Sequence, residues 1–476
     1  MRRYAYSTTI KQRRALKLAS KINLNGKEKA MKQDLTTGSV TGAMLRFALP
    51  MILGNLLQQM YNIADTVIVG QFLGANALAA VGSAYTLMTF LTSILLGLCL
   101  GSGVFFSLCY GARDTERLKR GVFVSFVLIG LAAAVINAAV WLLTDPILRA
   151  LRIPDEVYAL MRGYLRVIFV GIGATFLYNF FASLLRAVGN SVAPLAFLAI
   201  SALLNIALDL LFVLRFHWGV EGAAWATVLA QGVAGGGILL YSLMKAPMLR
   251  IARRHMRMDR AILREISRLS VLTCIQQSVM NFGILMVQGL VNSFGPAVMA
   301  AFAAAVKIDS FAYMPVQDFG NAFSTFIAQN YGAGKTERIR RGIRSAVKTT
   351  AVFCLLLTAF VCAFAMPLMR IFVPAHETEI LSIGVGYLRI EGAFYIGIGF
   401  LFLLYGLYRA VQRPGMSVVL TVISLGTRVA LAYALSAIPA VGVLGIWAAV
   451  PIGWFLADAV GFAYYARTLT KRAGRR

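Results

Sequence analysis

The sequence predicts an all-α polytopic membrane protein of twelve transmembrane helices in two six-helix bundles related by a parallel pseudo-two-fold repeat. Three observations carry this. Of 476 residues, 59% are hydrophobic and only 14% charged, where soluble domains carry about 25% charged residues. A mean hydropathy of +0.74 leaves too little polar surface to hold so large a chain in water. The apolar residues fall in runs of helical length, roughly 20 residues or more, divided by clusters of Lys and Arg. The two halves of the chain also repeat one another. Abundant glycine within the runs suits close-packed membrane helices rather than barrel strands.

The first predicted helix, 44–70, follows a basic tail (Arg2, Arg3, Lys11, Arg13, Arg14), and the second, 77–107, ends at a turn bearing Arg113, Arg117, Lys119 and Arg120. Helices over 121–143, 158–185, 190–214 and 219–243 complete the first bundle, with Asp155 and Glu156 between the first two of these. A linker at about 244–265 carries Lys245, Arg250, Arg253, Arg254, Arg257, Arg260 and Arg264. Helices over 266–293 and 297–329 lead to a second basic turn (Lys335, Arg338, Arg340, Arg341). Runs at 344–370, 382–411, 415–439 and 441–466 follow, with Glu377 and Glu379 between the first two, and Lys471, Arg472, Arg475 and Arg476 at the end. Each basic cluster falls on one side. The excess of Lys and Arg on cytoplasmic loops makes that side, with both termini, the expected cytoplasmic one. The expected units are a basic tail (1–43), an N-lobe (44–243), the linker (244–265), a C-lobe (266–466) and a second basic tail (467–476). Residues 1–30 hold no apolar stretch long enough for a signal peptide, and Met31 is an alternative start.

The net charge of +27 is then topology and attraction to lipid headgroups, and no nucleic-acid partner is expected. The five cysteines lie in apolar runs without a Cys-x-x-Cys pair and read as small core residues. His376-Glu377 lacks a second histidine four residues on, so no zinc signature exists. Gly334-Lys335-Thr336 resembles the end of a phosphate-binding loop, but the glycine that should open it falls on Gln329, and a polar turn is the expectation. No cofactor is implied, and nothing suggests ATP as the energy source.

The repeat is explicit. Tyr110-Gly111-Ala112-Arg113-Asp114-Thr115-Glu116-Arg117 is echoed in the second half by Tyr331-Gly332-Ala333-Gly334-Lys335-Thr336-Glu337-Arg338. Gly163-Tyr164-Leu165-Arg166 returns as Gly386-Tyr387-Leu388-Arg389, and Arg186-Ala187-Val188 as Arg409-Ala410-Val411, all at an almost constant offset. Six helices separate the copies. An even number keeps both copies in one orientation, so the repeat axis lies along the membrane normal.

Ionisable groups at membrane depth need an explanation, since each costs about 2.5–3.5 kcal/mol on insertion scales. Candidates are Asp65, Asp209, Asp309, Asp318, Glu391 and Asp458, with Lys307 and Arg428 as buried cations. Asp65 and Asp209 each sit about five residues from the outer end of an outward-running helix and so share one depth. Tyr61 and Asn205 lie four residues earlier on the same faces. Tyr164 and Thr227 reach a comparable level and Asn179 lies deeper. A polar cluster inside the first bundle follows, and two acids in low dielectric cannot both stay charged cheaply, which suits uptake and release of a proton. The repeat places Met286, Ala432 and Arg428 where Asp65, Asp209 and Asn205 stand, so the pair belongs to one half only. Lys307 and Asp309, two residues apart, are expected either to neutralise each other or to line the cavity. Asp318 and Glu391 are candidates for the cavity between the bundles, and Asp458 for a packing or rim position.

Leu49-Pro50 with Tyr61-Asn62-Ile63-Ala64-Asp65, the Tyr-Gly-Ala turn at 110–112, Leu204-Asn205-Ile206-Ala207-Leu208-Asp209 and Gly219-Val220-Glu221-Gly222-Ala223-Ala224-Trp225-Ala226-Thr227 together resemble the multidrug and toxic compound extrusion (MATE) family, in its prokaryotic DinF-like branch. The resemblance runs from about Met44 to Tyr465. It implies a V-shaped pair of lobes that export organic, often cationic compounds in exchange for protons or sodium. It assigns the coupling ion to Asp65 and Asp209, polar support to Asn205, Thr227, Tyr61, Tyr164 and Asn179, and a helix bend to Pro50. Other branches hold the ion in the C-lobe through a glutamate on helix 7, where this chain has Gln276 and Gln277; Gln277, Lys307, Asp309, Asp318 and Glu391 remain the C-lobe candidates.

The function expected is therefore an H+- or Na+-coupled antiporter of amphipathic molecules in the inner membrane, acting as a monomer among lipids. The alternative is a lipid-linked saccharide flippase, which would need several cations at membrane depth. A membrane enzyme would need a nucleophile with a base, or a metal set, and no such motif occurs. Phe176, Tyr178, Phe180, Phe181, Phe394 and Tyr395, with Met280 and Met286, read either as the lining of a pliable cavity for flat cations or as packing and lipid-facing groups.

Overall fold

The computed structural model describes residues 34–150, 153–246 and 251–473. Residues 1–33, including Met31, residues 151–152, part of the linker (247–250) and the last three residues lie outside the described residues. The helices are α1 (Val40–Leu73), α2 (Ala75–Gly111), α3 (Thr115–Ala150), α4 (Asp155–Val170), α5 (Ile172–Ala187), α6 (Val192–Asp209) and α7 (Gly219–Lys245). After the linker come α8 (Arg260–Asn292), α9 (Pro296–Gly332), α10 (Thr336–Arg370), α11 (Thr378–Gly392), α12 (Tyr395–Ala410), α13 (Pro414–Ser436) and α14 (Val443–Ala473). Ten of them are long and apolar enough to cross a membrane, and the bent pairs α4–α5 and α11–α12 complete twelve spans. The chain is a multi-pass membrane protein built as two six-helix bundles.

Several helices overrun the expected spans because their ends carry charge beyond the bilayer core. Two spans expected to be continuous are instead bent, α4–α5 by 46° and α11–α12 by 51°. At each bend the backbone slips from α-helical to tighter i→i−3 bonding: Gly171 N–H donates to the Ile168 carbonyl at 2.8 Å, and Phe394 N–H to the Glu391 carbonyl at 3.0 Å. Gly171 and Phe394 stand at the same offset as the two Gly-Tyr-Leu-Arg copies, so the bend is a property of the repeat. A further departure follows Asp209, where α6 opens into a π-helical turn, Leu210–Arg215. Pro50 removes one backbone hydrogen bond, yet α1 continues through it as a single helix.

The turns α2–α3 and α9–α10, the chain before α1 and the linker before α8 gather at one end of the bundle, the basic end. There each lobe clasps the other. The chain ahead of α1 lies under the second lobe, with Leu35 fully buried. Arg338 donates to the carbonyls of Leu35, Thr37 and Gly38, Lys335 Nζ to Thr36 at 2.7 Å, and Asn330 to Leu35 at 3.1 Å. One repeat later, the linker before α8 lies under the first lobe. His255, 1% exposed, meets Glu116 at 3.0 Å beside Arg254, and Arg117 pairs with Glu265. Arg338→Ala is expected to lower stability by about 2 kcal/mol, since hydrogen bonds to a charged donor each contribute more than neutral ones. Arg338→Lys should recover only part, because an ammonium cannot fork across three carbonyls. Thermal unfolding in detergent measures both.

Candidate functional site

α1, α4, α6 and α7 bring Tyr61, Asp65, Tyr164, Asn205, Asp209 and Thr227 together in one polar chamber of the first lobe. The Asp65 and Asp209 carboxylates lie within electrostatic reach of each other and of the Tyr164 hydroxyl, as does Tyr61. Asp209 is fully buried at the point where α6 gives way to its π-helical turn. Such turns recur at functional sites because they re-aim side chains. Asn205, 2% exposed, donates its amide to Thr227 Oγ1 at 3.3 Å. Four buried oxygens of this chamber accept no hydrogen bond: Asp65 Oδ1, Asn205 Oδ1 and both oxygens of Asp209. A proton or a hard cation with oxygen ligands such as sodium fits this donor set; a soft metal does not. Asn179, on α5, turns its amide back to the Thr175 carbonyl at 2.8 Å, while Thr175 Oγ1 donates to Gln231 at 2.6 Å. Gln231 is one turn from Thr227 on α7, so the polar chamber extends toward the basic end through a residue that the sequence reading missed. Its spacing of four from Thr227 is the signal that locates it.

The C-lobe candidates separate. Lys307 is exposed whereas Asp309 is 6% exposed, because residues two apart on a helix point to different faces. The expected Lys307–Asp309 neutralisation does not occur, and Lys307 is not a buried cation. Asp309 instead accepts from Tyr395 at 2.7 Å and Glu391 from Tyr387 at 2.7 Å, and the two acids face each other with Arg428 within electrostatic reach. Glu391 therefore does not share a site with Asp318. Asp318 lies at the seam of the lobes, where the Asn55 amide donates to both of its oxygens at 2.6 and 2.8 Å. Gln277 is half-buried on α8, and its neighbour Gln276 is buried with Oε1 unpartnered. Asp458, expected at a packing or rim position, is buried on α14 beside Tyr405. The aromatic candidates divide too. Phe176, Phe180 and Phe181 pack edge-on and tilted against Phe126 inside the first lobe, so they are core, while Phe394 is exposed.

Profile comparison matches the MatE family in two stretches, residues 50–211 and 270–434, one in each half of the repeat. The chain belongs to the MatE family. Among MatE relatives, the probable multidrug resistance protein YpnP of Bacillus subtilis is 30% identical over 91% of this chain and 96% of its own length. The probable multidrug resistance protein YoeA of the same organism is 28% identical over 92% and 96%. A solved structure described as the outward-facing conformation of a multidrug resistance MATE family transporter superposes with a TM-score of 0.86, at 25% identity, covering 92% of this chain and 97% of that one. The two-lobed MatE architecture implied by the motifs is thus the architecture of this chain.

Proposed function

We propose that the protein is an ion-coupled antiporter that exports amphipathic, often cationic organic molecules by alternating access, with its basic end and both termini on the cytoplasmic side of the inner membrane. The observation that carries the reading is the N-lobe chamber of unpartnered acceptor oxygens. Among the described residues Asp65 and Asp209 have no internal cation to balance them, so a proton or sodium ion from outside is the natural partner. The C-lobe acids differ in this respect, because Arg428 lies within electrostatic reach of both. The names of the MatE relatives support drug export as the process. The flippase alternative gains nothing: it would need several cations gathered at membrane depth, whereas Lys307 is exposed and Arg428 lies within electrostatic reach of Asp309 and Glu391.

The test is efflux from vesicles containing the purified protein, with a fluorescent organic cation as the probe and an imposed pH or sodium gradient. Efflux is expected to follow one of the two gradients, to stop when an ionophore collapses it, and to ignore added ATP. Efflux sustained by ATP at a collapsed gradient would overturn the proposal.

A further inference from the structure

Three buried donors without a partner meet at the seam between the lobes. Arg186 ends α5 and Arg409 ends α12, one in each lobe, in the two Arg-Ala-Val copies of the repeat. Both line a single cavity of about 30 Å³, whose polar wall also includes Ser183, Asn321, Ser324 and Thr325. Arg186 Nε, Arg409 Nε and Ser324 Oγ are buried there with no hydrogen-bond partner. Arg409 is 5% exposed, and its one hydrogen bond runs from Nη2 to Asn321 Oδ1 at 3.1 Å. Among the described residues neither arginine forms an ion pair. Asp318 is within electrostatic reach of Arg186 but is held by Asn55.

This chamber is the converse of the acid chamber, with donors where that one has acceptors. A guanidinium cannot shed its proton, so a buried arginine without a counter-charge has no way to neutralise itself, and such burial is costly. Two arginines against one aspartate leave one positive charge over. We propose that the cavity is an anion site for one small monovalent anion of chloride's size, and that the bound anion ties the two lobes together in this state. So small a cavity has room for only one or two water-sized groups, which excludes phosphate esters and whole drug molecules. Because each lobe contributes one arginine, parting the lobes at this end parts the guanidiniums. An anion that binds one state better than the other shifts the equilibrium toward it. The proposal concerns binding and does not rest on drug export.

The experiment is thermal unfolding of the purified full chain in detergent at constant pH, sodium concentration and ionic strength, with gluconate replaced stepwise by chloride or bromide. Chloride and bromide are expected to raise Tm saturably, by about 2–5 °C. Arg409→Gln and Arg186→Gln should remove that rise while leaving Tm in gluconate near the parent value. Should either variant fail to fold, Ser324→Ala is expected to weaken half-saturation several-fold, and bromide-soaked crystals of the parent should show anomalous scattering between the two arginines. No halide-dependent rise in the parent, an equal rise in both arginine variants, or stabilisation by phosphate but not chloride would each overturn the proposal.

Discussion

Asp65→Asn and Asp209→Asn are each expected to abolish gradient-driven efflux, by about 100-fold or more, while the protein still inserts and folds. In an exchanger the ion and the substrate must favour different states, since a ligand with equal affinity for both shifts nothing, and moving a population fully from one state to the other takes a differential of about 10⁴ in affinity. The charge on the acid pair is what an ion can read. Asn fixes each side chain in a neutral form of nearly the same shape, so the chamber loses its response without losing its packing. Removing a buried, unpartnered carboxylate should leave Tm unchanged or raise it. Repacking of α1 around Pro50, where a backbone hydrogen bond is already missing, is the route by which neutralisation would reach the substrate path. Normal efflux in both variants, with unchanged dependence on external pH and sodium, would move the coupling site to Asp309 and Glu391.

The two lobes and the acid chamber are legible in the sequence for identifiable reasons. A bilayer imposes span length, and an internal repeat doubles every motif, so Tyr110-Gly111-Ala112 and Tyr331-Gly332-Ala333 fix the relation of the halves. Asp65 and Asp209 can be set at one depth because both helices run the same way from known ends. What stays hidden depends on contacts between distant positions or on departures from ideal helices. Asp309 and Glu391 meet across two helices, and the repeat gives no warning, because Met88 and Ile168 occupy the equivalent positions. The bends at Gly171 and Phe394 share no residue type, so only the backbone reveals that they correspond. Lys307 is misplaced by a reading of depth alone, because depth without the helical face does not say whether a side chain is buried. Arg186 and Arg409 are visible as a repeated Arg-Ala-Val but not as a facing pair, since nothing in one lobe's pattern shows what the other lobe presents to it.

Adding side chains at Gly111 and Gly332 is expected to stop the basic end from closing. The C-terminal ends of α2 and α9 cross there with their backbones in contact. A methyl group on Gly111 would overlap the Gln329 carbonyl, and one on Gly332 the Leu108 carbonyl. Leu108 and Gln329 are themselves repeat equivalents, at the same offset as Gly111 and Gly332, so the crossing obeys the repeat and each lobe presents the same obstacle to the other. Neither neighbour can give way, because both are backbone inside helices, and Gln329 is further held by its bond to the Ala187 carbonyl at 2.8 Å. Overpacking of this kind costs about 1–3 kcal/mol per site. The cost falls only on the state in which the lobes meet at this end, so it acts as a population shift rather than as general destabilisation. Gly111→Ala with Gly332→Ala should therefore lower efflux by about 10- to 100-fold, whereas Gly426→Ala, where an added methyl meets open space, should leave it unchanged. Thr41 and Ser345 report the closure directly, their hydroxyls being 2.6 Å apart across the lobes. With the five native cysteines replaced, Thr41→Cys and Ser345→Cys are expected to cross-link readily in the parent and poorly in the double glycine variant. Equal cross-linking and equal efflux in the two backgrounds would show that this crossing is not the closure on which transport depends.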